Sequence, residues 1–367
     1  MKAAHAGAEP VRLAGRPEDY TRFGIEERSV APWEDGLRLE TGAPNIEWWY
    51  FDCLLDDGAK LAVIHCTKDA SRPHQPLEPV IEIDLDLPDG RRFMKYGRFK
   101  AKEFSASKDR CDVRMGDCCF TGDLHEYHIT GEAEDLSADV RLEGITEAWR
   151  PGTGQVLFGP AGEHSLAWVI AVPMGKVTAT YRIGDEVHES TGMGYHDHNW
   201  MDRQMSHLVD HWYWGRGQVG AYTFVAAYIT TAQRYGYATV PLYMLARDGK
   251  VIADDPEKVT FSKAGSEVDE HTGKPMADQL RFEYRDEDSL DVLTFRRERT
   301  LVSERLIDAA TGIGKVVAEL VRYPGGYIRF AGPVVLERYR GDELVERCEE
   351  AGSYEEMFLG REIHGER

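Results

Sequence analysis

The sequence predicts a nearly all-β protein whose short antiparallel strands form barrels or sandwiches. Three observations carry this. Apolar and polar residues alternate with a period of two in run after run. Asp-Gly turns separate several of these runs at hairpin spacing. Helical periodicity is scarce, with Thr311 to Val321 and Tyr354 to Leu359 as the best short candidates.

Residues 1 to 40 are polar and aperiodic and read as an N-terminal arm that packs late or stays mobile. The aromatic run Asn45 to Asp52 and the run Lys60 to Thr67 flank Asp56-Asp57-Gly58, a hairpin signature. Val80 to Leu87 alternates apolar with acidic residues, then turns at Pro88-Asp89-Gly90; Asp123 to Ile129 alternates as well. Ser165 to Pro173 is an apolar run, and Lys176 to Ile183 pairs with Glu186 to Ser190 across Gly184-Asp185. Further strands are expected at Ala221 to Thr230, Pro241 to Ala246, Gln279 to Tyr284, Leu290 to Arg299, Tyr327 to Phe330 and Val334 to Tyr339. Two similar sets of strands flank residues 200 to 215. The expected organisation is therefore an arm (1–40), one β domain (41–205) and a second (206–367), and clefts at such junctions commonly bind small ligands.

The chain has 367 residues, 42% hydrophobic and 29% charged, enough apolar mass for real cores. Its formal net charge of -20 repels phosphate backbones and anionic lipid heads, which disfavours nucleic acid as a partner. No apolar run is long enough for a membrane-spanning helix, and the N-terminus lacks the apolar segment of a signal peptide, so the cytoplasm is the expected compartment. The cysteines Cys53, Cys66, Cys111, Cys118, Cys119 and Cys348 include no C-x-x-C pair and read as reduced structural thiols. Dinucleotide, Walker, G-x-S-x-G and H-E-x-x-H motifs are missing from the sequence, so the corresponding chemistries lose ground.

Chemistry-bearing residues concentrate in Gly194-Tyr195-His196-Asp197-His198-Asn199-Trp200 and in His207 to Arg216. On a strand, His196 and His198 face one side and Asp197 the other. With His207 and His211 the two histidines have a spacing that permits zinc without matching a strong metal signature. No metal ligand and no cofactor is assigned. The alternative is that His198 or His196 carries a proton, oriented by Asp197 or Asp210, or that some of these rings simply fill the interior. Trp48, Trp49, Trp200, Trp212 and Trp214 are either core or the faces of a pocket for an unsaturated ligand, where they would stabilise a developing cation. Glu47, beside the tryptophan pair, is either a desolvated general acid or an edge-strand carboxylate. Arg216 either binds a ligand carbonyl or pairs with a local acid.

Glu47-Trp48-Trp49-Tyr50-Phe51, Gly194 to Trp200 and Trp212-Tyr213-Trp214-Gly215-Arg216 together resemble the carotenoid 1,2-hydratase (hydroxyneurosporene synthase) superfamily, which includes lipocalin-like hydratases and Diels-Alderases. The resemblance runs from about residue 45 to 340. It implies two lipocalin-like (calycin-like) antiparallel β domains, a hydrophobic pocket by the His/Trp motif, and chemistry without an organic cofactor. It places the family's His-x-Trp pair on His198 and Trp200. The family's Tyr-x-Asp pair falls on Tyr228-Ile229-Thr230, where threonine replaces the aspartate, and Met201 replaces a common glycine. Those departures weaken a direct transfer of the carotenoid hydratase mechanism.

The expected activity is acid–base hydratase or lyase chemistry on a hydrophobic unsaturated molecule, an isoprenoid or prenylated phenolic. Catalytic candidates are His198, Asp197, His196, Glu47 and Tyr195. Binding candidates are Trp48, Trp49, Tyr50, Trp200, Trp212, Trp214, Arg216 and Tyr228. A polyene cyclase of the Diels-Alderase type and a non-catalytic lipophile carrier are the rival readings.

Overall fold

The computed structural model describes residues 8–42, 44–69, 74–265, 267–309 and 325–360. It divides into two compact units, Arg12–Gln204 and Met205–Arg367 with Met1–Val11. Each is a curled antiparallel β-sheet, as the alternation predicts, and each is described by itself. Among the described residues no helix is long and apolar enough to cross a membrane.

The first sheet runs, in hydrogen-bonded order, Arg92–Arg98, Val80–Asp86, Lys60–Cys66, Ile46–Leu55, Glu186–Met201, His164–Ile183, Leu136–Gly144, Glu126–Ala133, Cys118–Gly122, Asp112–Met115 and Phe104–Ala106. Two meanders thus meet where the first long strand pairs with the last. The sheet curls until Val80–Asp86 and Arg92–Arg98 pack on Glu126–Ala133. Alternate residues of these strands fill the interior, among them Trp49, Phe51, Val63, Ile83, Phe120, Ile129 and Val140. Gly131 permits the approach, because a Cβ there would lie 3.0 Å from Val63, 3.1 Å from Ile83 and 3.3 Å from Ile81. Gly131→Val is therefore expected to overpack the core and cost about 1–3 kcal/mol, read as a lower urea midpoint at unchanged slope.

The second sheet repeats the plan, in the order Lys250–Ala253, Thr239–Arg247, Tyr222–Thr231, Val209–Val219, Glu343–Phe358, Gly326–Arg340, Ser289–Arg296, Gln279–Asp286 and Val259–Ala264. Again the first long strand pairs with the last. Tyr213, Phe224, Tyr243, Phe282, Phe295, Phe330 and Tyr354 dominate its core.

Three expectations change. Residues 12–40 are not a loose arm: Pro17–Phe23 forms a helix, Pro32–Asp35 a 3-10 turn, and Asp19, Glu34 and Asp35 are buried in the first unit. Aperiodic sequence hid this because these residues are held by polar partners rather than by an apolar stripe. Tyr354 to Leu359 is not helical but ends the strand Glu343–Phe358, where Tyr354, Glu356 and Phe358 alternate inward. Ser165 to Pro173 and Lys176 to Ile183 form one strand, His164–Ile183, with register shifts around Val172 where Pro173 cannot donate to the ladder. The helix candidate Thr311 to Val321 lies outside the described residues. All six cysteines are free thiols.

Candidate active site

The strand Glu186–Met201 lies between Ile46–Leu55 and His164–Ile183, and its two faces carry different chemistry. His196, His198 and Trp200 point to one face, Tyr195, Asp197 and Asn199 to the other, as the period of two requires.

The inner face is a sealed polar relay. His196 Nδ1 donates to the Tyr50 carbonyl at 2.9 Å, and its Nε2 lies 3.1 Å from Asp35. Asp35 also accepts the Tyr127 hydroxyl at 2.5 Å. His198 Nε2 lies 2.9 Å from Glu47, whose two oxygens also accept the backbone N–H groups of Arg38 and Leu39. Trp49 stacks on His198 with centroids 4.6 Å apart, and Trp200 leans on it at 4.9 Å while packing on Ala167 and Val169. Glu47, His196, His198 and Asp35 are at most 1% exposed, so a substrate atom has no path to them in this conformation.

Burial lowers the proton affinity of His196, but the Asp35 charge and hydrogen bond outweigh it and leave the imidazole pKa raised. Burial likewise raises Asp35, and the facing His196 overrides it and leaves the carboxyl lowered. The sign of the linkage follows. Stabilisation through Asp35 is present above its unfolded pKa, near 3.8, and is lost as pH falls through the lower folded value. Stabilisation through His196 is present below its unfolded pKa, near 6.5, and is lost as pH rises through the higher folded value. The difference in melting temperature between the native chain and Asp35→Asn is therefore expected to be largest between those two values and to shrink on either side.

The outer face converges on Asp197. Its Oδ2 accepts the Trp168 indole N–H at 2.7 Å and the Tyr195 hydroxyl at 2.7 Å, and its Oδ1 accepts the Asn199 amide at 2.8 Å. The strand register sets Tyr50 opposite Asp197, and Trp48 and Trp168 opposite Asn199 from either side. Trp149 meets Trp168 edge-on at 6.4 Å. Asp197 is 7% exposed, and Trp48, Tyr50, Trp168 and Asn199 are half-buried. Burial raises the pKa of Asp197, and it stays raised although Tyr195, Trp168, His196 and Asn199 all pull it down. Raised proton affinity among indole and phenol rings is the direction a general acid requires. Sequence reading found Asp197, Tyr195, Trp48 and Tyr50 but not Asp35, Trp149, Trp168 or Asn199. Asn199 sat inside the motif already singled out, whereas Trp168 becomes its neighbour only through strand register and Asp35 arrives on the turn Pro32–Asp35.

The remaining residues belong to the second unit. His207 is exposed on the short helix Met205–Leu208. His211 Nδ1 lies 2.9 Å from Asp210. Trp212 donates to Glu355 at 3.1 Å, Arg216 lies over Trp214 at 5.6 Å, and Tyr228 stacks on Phe261 at 4.1 Å. The Thr230 hydroxyl, where the resemblance would have put a carboxylate, is buried.

Metal-ligand chemistry is offered in one cluster among the described residues: Asp35, Cys111 and His196 bring donor atoms within 4.8 Å of one another. The Asp35 Oδ2 and the His196 ring already pair, and burial pushes the Cys111 thiol far up. A cavity of about 900 Å³ opens in the first unit. Its wall includes Cys111, Arg114, Thr121, Tyr127, His128 and Arg141, and none of the catalytic or binding candidates named from sequence lines it.

The fold is lipocalin-like, two curled antiparallel β-sheets each described by itself. Residues 120–269 match the family model described as Diels-Alderase-like. The chain is 34% identical over 234 residues, 59% of its length and 62% of the relative's, to the quinolone epoxide rearrangement protein asqO of Emericella nidulans. It is 27% identical over 124 residues, 32% of its length, to the quinolone epoxide rearrangement protein penF of Penicillium thymicola, of which it covers 34%. The chain thus spans less than two thirds of these relatives. Similar solved folds are CghA (15% identity, TM-score 0.60, covering 93% of this chain and 96% of that one) and a putative AttH of Nitrosomonas europaea (16%, 0.60, 92% and 99%). Kievitone hydratase of Nectria haematococca is a third (11%, 0.52, 95% and 99%). These comparisons show a lipocalin-like fold and a Diels-Alderase-like match over residues 120–269, and they do not single out a carotenoid hydratase.

Proposed function

We propose that the chain is a cofactor-independent enzyme of natural-product metabolism that works by proton transfer from Asp197 to a hydrophobic unsaturated or epoxide-bearing substrate. The carrying observation is the Asp197 carboxyl, its proton affinity raised by burial, on a face built from Trp48, Tyr50, Trp168 and Tyr195. Protonation of an alkene carbon or an epoxide oxygen creates a cation, which the indole faces stabilise by cation–π attraction. Water then adds, or a proton leaves and the skeleton rearranges. Tyr195, Trp168 and Asn199 hold the Asp197 carboxyl in place through the cycle. His196, His198 and Glu47 act from behind the strand, fixing its position rather than touching substrate.

The names of the relatives support both ring-opening and addition chemistry. A cyclase reading is favoured by the Diels-Alderase-like match, since there the same donors would polarise a carbonyl and the aromatic face would fold a polyene. Incubation with prenylated phenolics, isoprenoids, polyenes and aryl epoxides, followed by mass spectrometry, tests the proposal. Products should form with the native chain and largely disappear with Asp197→Asn. Products formed equally well by that variant would refute the acid role and leave the cyclase.

A further inference from the structure

A second chemical constellation sits on the outer face of the first sheet, where Cys119, His128 and Asp139 lie on three adjacent strands. Cys119 Sγ is 3.8 Å from His128 Nδ1, and His128 Nε2 is 2.9 Å from Asp139 Oδ1. Asp139 can only accept from the neutral ring, so the proton sits on Nε2 and the Nδ1 lone pair faces the thiol. That is the order of nucleophile, base and orienting acid. Thr130 adds its hydroxyl to the thiol at 3.7 Å. In register, Arg114 stands opposite Cys119 and Arg141 opposite His128. Arg114, His128 and Arg141 also line the cavity of about 900 Å³. Cys119 itself is 8% exposed.

Acyl transfer would need N–H donors aimed at the oxyanion that forms beside the attacked carbon. The Cys119 N–H is already given to Thr130 Oγ1 at 2.8 Å. Conjugate addition needs no such donor there, because its charge develops on a carbonyl oxygen several atoms from sulfur.

We propose that Cys119 is a reactive thiol site for α,β-unsaturated carbonyl compounds. His128 Nδ1 takes the thiol proton and sulfur attacks the β-carbon. The C=C electron pair moves to the enolate, which then takes the proton back from His128 at the α-carbon. S–H has added across C=C, and nothing is oxidised or reduced. The site is independent of the Asp197 face.

The test labels the full chain with N-ethylmaleimide, reading each cysteine by peptide mapping over time. Cys348, half-buried and without such a base, is the internal reference. Cys119 should label about 10-fold faster than Cys348, and His128→Asn should slow it about 10²-fold, the low end for a general base, with the melting temperature unchanged. Should that variant fail to fold, Asp139→Asn at an exposed position should still slow labelling. Labelling of Cys348 first, or no slowing in either variant, would overturn the site.

Discussion

Asp197→Asn is expected to lower kcat by about 10²- to 10⁴-fold, the span that positioned proton transfer contributes. The substitution keeps the shape and retains an amide that can meet Trp168 and Tyr195, so the fold and substrate binding should survive. The loss should fall equally on kcat and on kcat/KM, because the proton is needed only in the transition state. His198→Gln should cost far less, since His198 touches Trp49, Trp200 and Glu47 behind the strand. An equal loss in both variants would move the proton donor to the inner face. The comparison therefore separates two networks that lie back to back on one strand.

Asp35→Ala is expected to be the most damaging single change to stability, by about 3–5 kcal/mol, the cost of removing one partner from a buried pair. Asp35 is fully buried and accepts from His196 and Tyr127. Without it, His196 must either stay charged without a counter-ion or shed its proton, and the Tyr127 hydroxyl loses its acceptor. Urea unfolding measures the loss directly. A change below about 1 kcal/mol, the scale of an ordinary exposed pair, would mean that the relay is not what holds the turn Pro32–Asp35 against the sheet.

Much of the architecture was legible in the sequence because strand alternation is a local signal. Val80 to Leu87 announced its inward face without help, and Asp56-Asp57-Gly58 announced its hairpin, with Gly58 at φ 87°. The division of His196 and His198 from Asp197 also followed from a period of two. What the period could not give was the meaning of each face. Glu47 read as either a desolvated acid beside tryptophans or an edge-strand carboxylate, whereas it is buried with two backbone N–H groups and His198 on its oxygens. Those donors come from Arg38 and Leu39, in a stretch with no periodicity. Asp35 was hidden for the same reason, in a segment whose contacts are polar and distant in sequence. Trp168 looked like one residue of an apolar run until the register brought it to Asn199 and its indole N–H to Asp197. Cys119, His128 and Asp139 are invisible as a set in one dimension, since only the pairing of three strands aligns them.

The shared plan of the two sheets gives the aromatic motifs a common origin in structure. Glu47-Trp48-Trp49-Tyr50 lies on the first long strand of one unit and Trp212-Tyr213-Trp214 on the first long strand of the other. Each of these strands closes its sheet against the last one. Closure strands are central, so large rings there are held by neighbours on both sides.

The most direct measurement is the infrared difference spectrum between the native chain and Asp197→Asn, taken across a pH titration. The carbonyl stretch of a protonated carboxylic acid, present in the native chain and missing from the variant, reports this one group. The account predicts that this band persists above 3.8, the ordinary value for an aspartate, and gives way to carboxylate only at higher pH. A band lost at or below that value would show Asp197 ionised under working conditions and would contradict its role as the acid.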